Sequence, residues 1–223
     1  MVEFFSNRFD YRYPWVKYDQ VVIPDFAAGA MEHTGITGHQ ASILRNPGSP
    51  VEFAPVLDHY ASEWTAESII SHELAHHWFG NLITCRNLSY LWLNESFGSY
   101  LMMLWDEELL GKDQLLFDVH LARESYFDYV KRAHIIRPLE YHYFDDTNTI
   151  YNFEHTYFKG AAVLHTLRSA LGDGQFFGAL SHRGFILFRR NQHQAVFEMF
   201  DRAVERRPEL RLGSGASFSA AAS

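Results

Sequence analysis

Two histidines and two glutamates carry the strongest chemical signal in the sequence. His72 and His76 are four residues apart, a spacing that stacks both imidazoles on one face of an α-helix. Glu73 lies between them but is offset around the helix, where it can act on a water at a metal without ligating that metal. Glu95 follows after eighteen intervening residues (95 − 76 = 19). Two imidazoles and one carboxylate form the ligand set of many catalytic zinc sites, which leave the fourth position open.

The segments around these residues predict the helices that would hold them. Ser, Thr and early acidic residues favour a helix over residues 62–79, which would stop at Gly80-Asn81. Asn94 can cap a second helix from Glu95 to Leu110, before Gly111. Further helices are predicted over residues 113–131, 156–171, 174–181 and 194–206. The metal donors are therefore expected on the first two long helices.

The residues beside the zinc motif are interpreted as structural. His77 would project about 100° away from His76 on a helix, so it is not expected to ligate the same ion. Trp78 and Phe79 are expected in the hydrophobic core. Cys85 has no histidine partner close to it in the sequence, so a thiol nucleophile is not expected.

Residues 1–60 have the sequence pattern of strands and loops, whereas the residues that follow have a helical pattern. Residues 1–60 are predicted to form strands and loops, with strands at 18–23 and 39–44. Residues 211–223 contain mainly Gly, Ser and Ala and are expected to be a disordered tail. The predicted fold class is therefore α+β, with a small β-sheet followed by a mainly helical lobe.

Composition narrows the range of partners. A formal net charge of −8 disfavours nucleic acid as a partner, and hydrophobic residues make up 47% of the chain, enough for a core. A single cysteine cannot form an intrachain disulfide, which weakly favours a reducing compartment. The sequence shows no signal peptide and no apolar run long enough to cross a bilayer. A cytoplasmic location is the resulting expectation.

Several motifs in the same order resemble one family, the gluzincin-type zinc aminopeptidases. This family includes alanyl and puromycin-sensitive aminopeptidases and leukotriene hydrolase. The matching segments lie at residues 17–26, 29–33, 72–81, 92–97 and 157–160. The resemblance covers about residues 10–190, and it implies a thermolysin-like zinc peptidase catalytic domain, placed here at residues 1–210.

The resemblance also implies a role for each matching residue. His72, His76 and Glu95 would hold one Zn²⁺, and Glu73 would be the general base. Tyr157 is one of 12 tyrosines, and by residue type alone a packed core aromatic is the simpler interpretation. The family match implies that Tyr157 stabilises the oxyanion of the reaction. The substrate-binding residues would be Glu32, which recognises the free amine, with Gly29, Ala30 and Met31 as the docking strand.

The sequence departs from the family pattern in two ways. The motif that recognises the substrate amine usually ends in Asn, whereas here it ends in His33. The family's N-terminal β-domain and C-terminal helical domain have no counterpart in the sequence, which reads as a catalytic domain from a larger enzyme or a shortened relative. The missing domains of such an enzyme would be possible partners.

These observations predict a zinc-dependent aminopeptidase that removes the N-terminal residue from peptides with a free N-terminus. Two other functions remain open at this point. A zinc endopeptidase would not need the amine-binding carboxylate of Glu32. Alternatively, the chain could bind zinc without turnover, as a catalytically incomplete fragment or scaffold.

Overall fold

The computed structural model describes residues 1–43, 65–143 and 146–181, with the side chains of residues 147 and 148 left out. We number the elements in chain order. The strands are β1 (Asp19–Ile23), β2 (Ala30–Met31) and β3 (Ile36–Gln40). The α-helices are α1 (Val2–Arg8), α2 (Ala66–Ala75), α3 (Trp92–Leu110), α4 (Lys112–Ala133), α5 (Thr147–Ile150), α6 (Gly160–Leu171) and α7 (Asp173–Ala179). A 3-10 turn (Leu88–Tyr90) precedes α3, and a π-helix (Phe153–Lys159) runs directly into α6.

The three strands form one mixed sheet in the order β1-β3-β2. β1 pairs with β3 in parallel, with Asp19 opposite Ile36, and β2 pairs with β3 antiparallel, with Ala30 opposite His39. The central strand β3 is buried over Thr37 to His39. The short strand β2 thus delivers the residue that follows it, Glu32, to the side of the sheet that meets α2.

Helix α3 is the centre of the helical lobe. All of its residues from Trp92 to Leu104 are buried, as expected for a helix that is covered on every side. α2, α4, α6 and the π-helix all pack against it. One continuous hydrophobic core joins these helices to α1. The small sheet followed by a helical lobe agrees with the predicted α+β class.

The prediction of strands and loops near the N-terminus was wrong for residues 2–8. Phe5 and Phe9 are four residues apart and fully buried, and both rings pack against Trp78 at centroid distances of 5.9 and 5.8 Å. Spacing of i and i+4 places two large apolar side chains on one helical face. Burial against the core therefore stabilises helix α1. β1 corresponds to the strand predicted at 18–23. β3 corresponds to the strand predicted at 39–44, but it begins at Ile36 and ends at Gln40.

The helix boundaries differ most around the zinc motif. α2 ends at Ala75, four residues before the predicted end, and α3 begins at Trp92, three residues before the predicted start. Asn94 does not cap α3, since it lies within the helix and its side chain accepts a hydrogen bond from the backbone N–H of Cys85 at 3.2 Å. Gly111, with φ of 95°, ends α3 as expected.

Two predicted segments cannot be compared with the structure. The helix predicted over 194–206 and the tail predicted over 211–223 lie outside the described residues. Among the residues that are described, none of the helices is both long and apolar enough to span a membrane.

Asp106 lies on α3 at a cavity of about 230 Å³ between α2, α3 and α4. Burial raises the pKa of its carboxyl to about 7, with a smaller contribution from Asp118. Ser68 donates hydrogen bonds to both carboxylate oxygens at 3.3 and 3.2 Å, which acts in the opposite direction. The folded chain therefore binds this proton more tightly than the unfolded chain does.

Asp106→Asn is expected to change how stability depends on pH. The wild-type contribution to the free energy of unfolding is complete below the unfolded pKa of 3.8 and is lost as the pH rises through about 7. The variant should exceed the wild type by about 1–2 kcal/mol at pH 5 and by about 4 kcal/mol at pH 8, and the two should be equal only below about pH 3. Urea unfolding at both values measures this. Asp128→Asn is the control, because Asp128 is a half-exposed aspartate on α4. This variant should show no comparable gain in stability between pH 5 and pH 8.

Candidate metal centre

The metal-binding donors predicted from the sequence converge in the structure. The Nε2 atoms of His72 and His76 lie 3.0 Å apart. An oxygen of Glu95 lies 3.5 Å from the first of these nitrogens and 3.4 Å from the second. All three residues are buried. Donor atoms from α2, from the residue directly after it and from α3 thus face one point, as a bound metal ion requires.

His76 is held in one ring orientation by a backbone contact. It follows the last residue of α2, where the helix gives way to turns. Its Nδ1 atom lies 2.9 Å from the carbonyl oxygen of Phe79 and donates a hydrogen bond to it. When Nε2 carries no proton, its lone pair therefore faces His72 and Glu95, and second contacts of this kind commonly fix the tautomer of a metal-binding histidine.

A glycine makes room for the two imidazoles. A Cβ atom added to Gly98, one turn beyond Glu95 on α3, would lie 2.9 Å from Cε1 of His72 and 2.9 Å from Cε1 and Nε2 of His76. No side chain fits in that position without displacing the rings. Gly98 was not singled out from the sequence, because its importance depends on a contact between two helices.

The electrostatics of the site favour a cation. Burial raises the pKa of Glu73 well above its ordinary value, with Glu32 and Glu95 acting in the same direction and His76 against them. Burial opposes a charge on His76, yet Glu95 and Glu32 raise the pKa of its imidazole to about 10. Several carboxylates thus share a small buried volume, and a divalent cation would relieve their mutual repulsion.

Glu32 and Glu73 lie at the same centre. Ligand atoms of Glu32, Glu73 and His76 all lie within 4.8 Å of one another. Glu32 is partly buried and follows β2 directly. Gly29, with φ of 77°, accepts a hydrogen bond from the backbone N–H of Gln40 at 2.7 Å and so closes the start of β2. The sheet thus brings residues 29–32 to the edge of the metal centre, whereas the side chain of His33 is exposed.

Asn81 joins the zinc motif to this strand. Its side-chain N–H group donates to the carbonyl oxygen of Glu32 at 2.8 Å. As a helix stop and as the end of the matching segment 72–81, Gly80-Asn81 does not predict this contact from the sequence. His77 also faces the sheet segment, since the backbone N–H of Gly35 donates to its Nε2 at 3.2 Å. His77 thus points away from His76, in agreement with the prediction that it has a structural role and does not bind the same ion.

Tyr157 approaches the centre from the π-helix. Its ring is buried, stacks on Phe153 at 4.4 Å and lies 6.1 Å from the ring of His72. Asn152 caps the π-helix by accepting a hydrogen bond from the backbone N–H of His155 at 2.8 Å. Ser96, next to Glu95, donates to the carbonyl oxygen of Thr156 at 2.6 Å. This contact links the segment that carries Tyr157 to the helix that carries Glu95.

Solved structures with the same architecture come from Deinococcus radiodurans. The crystal structure of its M1 zinc metallopeptidase matches with a TM-score of 0.64 and 26% identity, over 89% of this chain and 38% of that one. A variant of the same enzyme, bound to a Tyr-Ser-Ala substrate, matches with the same score over 39% of its length. The zinc named in these structures agrees with the expected cofactor, and the two histidines and the carboxylate described above fit it.

Sequence relatives are aminopeptidases. Aminopeptidase N from Oryctolagus cuniculus is 31% identical over 95% of this chain and 22% of its own length. Endoplasmic reticulum aminopeptidase 2 from Bos taurus is 33% identical over 82% of this chain and 18% of its own length. Aminopeptidase N from Haemonchus contortus is 34% identical over 81% of this chain and 18% of its own length. The chain spans about a fifth of the length of the curated relatives it matches.

The family comparison agrees with these matches. The model of the peptidase family M1 domain matches residues 1–201. The resemblance to zinc aminopeptidases inferred from the motifs is thereby confirmed. The chain therefore belongs to the M1 family of peptidases.

Proposed function

We propose that this chain is the thermolysin-like catalytic domain of a zinc aminopeptidase, extending over about residues 1–210. The observation that carries the proposal is the convergence of His72, His76 and Glu95 within 3.5 Å of one another. Zinc held by these residues would act as a Lewis acid and make a water nucleophilic near neutral pH. The aminopeptidase names of the relatives support peptides as the substrate class.

Glu73 is proposed as the general base. Its carboxylate is buried among the metal donors, on the same helix as His72. Burial raises the pKa of this carboxyl, and a cation held at the neighbouring donors would act in the opposite direction and favour the carboxylate form that a base needs. Glu73 would accept a proton from the attacking water and deliver it to the nitrogen of the scissile amide, which leaves as the amine of the shortened peptide.

Tyr157 is proposed as a donor to the oxyanion. Burial raises the pKa of its phenol well above the ordinary value, with Glu95 and Glu73 acting in the same direction. The hydroxyl therefore stays protonated across the neutral pH range. It would donate a hydrogen bond to the scissile carbonyl oxygen as negative charge develops there.

Glu32 is proposed to bind the free α-ammonium group of the substrate. A carboxylate that close to His76 and Glu73 would pair with the ammonium group and place the first peptide bond at the metal. The backbone of Gly29, Ala30 and Met31 would dock the substrate beside it. His33, at the position where the family motif usually has Asn, is exposed, and its ring lies 6.4 Å from that of Phe26.

The discriminating experiment compares Tyr-Ser-Ala with its N-acetylated form. The chain should release tyrosine from the free peptide in a reaction that a chelator stops, and acetylation should lower kcat/KM by at least about 100-fold. Glu32→Gln should reduce kcat/KM for the free peptide and narrow the difference between the two substrates. Mass spectrometry of the products and metal analysis of the protein provide the readouts.

Two outcomes would contradict the proposal in different ways. Equal cleavage of both peptides would indicate an endopeptidase without amine recognition. A chain that contains about one zinc yet hydrolyses neither peptide would instead fit the alternative of a zinc-binding fragment or scaffold.

A further inference from the structure

Asn81 connects a proposed zinc donor to the proposed amine-binding residue through two hydrogen bonds. Its backbone N–H donates to the carbonyl oxygen of His76 at 2.9 Å. Its side-chain N–H group donates to the carbonyl oxygen of Glu32 at 2.8 Å. One residue therefore links the end of the metal-binding motif to the segment that carries the amine-binding carboxylate.

Glu32 lies between a very short strand and a tight turn. β2 consists of two residues, and its pairing with β3 ends at Met31, opposite Gly38. The turn over residues 33–36 is closed by a hydrogen bond from the backbone N–H of Ile36 to the carbonyl oxygen of His33 at 2.9 Å. Glu32 is thus placed just beyond the sheet, where the contact with Asn81 anchors its backbone.

His77 anchors the other end of the same segment. Its ring is fully buried, and its Nε2 accepts a hydrogen bond from the backbone N–H of Gly35 at 3.2 Å. His77 and Asn81 both follow the last residue of α2. The two side chains therefore hold residues 32–35 against the metal-binding motif, and Asn81 contacts Glu32 directly.

Recognition of a free N-terminus depends on the spacing between two groups of the candidate site. The ammonium group and the first carbonyl of a peptide are separated by a fixed number of bonds. The carboxylate of Glu32 and the metal donors must match that separation for the carbonyl to reach the metal. Misplacement of a binding group by about 1 Å can cost about 100-fold in rate.

We propose that Asn81 is a positioning residue, which holds Glu32 at the distance from the metal donors that a free N-terminal residue requires. This inference rests on the proposed function, and within it on amine recognition by Glu32. Asn81 acts only through the backbone of Glu32. Its loss should therefore weaken the discrimination between free and blocked amines and leave hydrolysis of a blocked peptide unchanged.

Two substitutions test the role of the side-chain donor. Asn81→Leu removes the donor and keeps the approximate shape, whereas Asn81→Ala adds no bulk. In each variant, kcat/KM for Tyr-Ser-Ala should fall by about 10–100-fold. The kcat/KM for the N-acetylated peptide and the zinc content should stay within about twofold of the wild type.

Thr84→Val is the matched control. The hydroxyl of Thr84 donates to the carbonyl oxygen of Gly80 at 2.7 Å, in the same loop as Asn81. The substitution removes a hydrogen bond of similar length from that loop without changing the contact with Glu32. Both peptides should be cleaved at wild-type rates.

A double-mutant cycle separates positioning from a general effect on the fold. In a Glu32→Gln background the carboxylate is already absent, so Asn81→Leu should cause no further loss of discrimination. Losses that add, or losses of equal size for the free and the acetylated peptide, would overturn the proposal.

Calorimetric titration gives the same comparison without turnover. The ligands are tyrosine hydroxamate, a zinc chelator with a free amine, and its N-acetyl derivative. Asn81→Leu should weaken binding of the free amine by about 10-fold and leave binding of the derivative unchanged. A wild type that binds both ligands equally would refute amine recognition itself, and thus the proposed function. A wild type that discriminates, with Asn81 variants that discriminate equally well, would refute only the role of Asn81.

Discussion

Glu73→Gln is expected to leave zinc bound and to lower kcat by about 10²–10⁴-fold, the usual contribution of a general base. Glutamine keeps the shape and the buried position of the side chain, but it cannot accept a proton. The three proposed zinc donors remain unchanged. Metal content measured by mass spectrometry and kinetics with an aminoacyl-anilide substrate separate the two properties.

Glu67→Gln provides the matched control. Glu67 lies on the same helix, in its first turn, and lines the cavity near Asp106 rather than the metal centre. The same chemical change should therefore leave kcat within about twofold of the wild type. Loss of zinc in Glu73→Gln would show that Glu73 supports the metal, and an unchanged kcat would exclude it as the base.

Gly160→Ala is expected to reduce the free energy of unfolding by about 3 kcal/mol or more, because the new side chain has no space. A Cβ atom at this position would lie 1.7 Å from the Oγ and 2.3 Å from the Cβ of Ser96. Ser96 cannot easily rotate away, since its hydroxyl donates to the carbonyl oxygen of Thr156 at 2.6 Å. Urea unfolding monitored by circular dichroism measures the loss.

A second substitution should partly restore the variant. With Ser96→Gly in the same chain, the nearest remaining atom of residue 96 is the Cα, at 3.4 Å. The double variant should then lose less stability than the sum of the single variants, which a double-mutant cycle quantifies. Gly178→Ala on α7, where an added Cβ meets nothing within 4 Å, should change stability by no more than about 1 kcal/mol. Additive losses at residues 96 and 160 would contradict the steric explanation.

The convergence of the proposed zinc donors could be expected from the sequence because part of their geometry is local. His72 and His76 are brought together by the rise of one helical turn, which the spacing of the motif reports directly. The position of Glu95 depends on how α2 packs against α3, which residue type and spacing suggested and the family resemblance supported. The end of α6 at Leu171 agrees with the helix predicted over 156–171, and Gly172 follows it with φ of 77°. The predicted start was wrong, because Thr156 lies within the π-helix and does not cap α6.

The parts that could not be predicted depend on contacts between distant segments. Helix α1 is stabilised by the burial of Phe5 and Phe9 against Trp78, a residue about 70 positions away in the chain. The contact between Asn81 and the carbonyl of Glu32 and the room that Gly98 provides also arise only in the folded chain. No periodicity or motif in the sequence encodes such contacts.

The number of residues in the π-helix fixes the direction of the side chains that precede α6. Its residues from His155 to Phe158 are all buried, so consecutive side chains point to different neighbours and none faces solvent. Deleting one residue there would turn the wide helix into an ordinary one and rotate the preceding side chains by about 100° relative to α6. The phenol proposed to act at the metal could then no longer face it, so a single-codon deletion at this point would remove activity even if every proposed zinc ligand remained in the sequence.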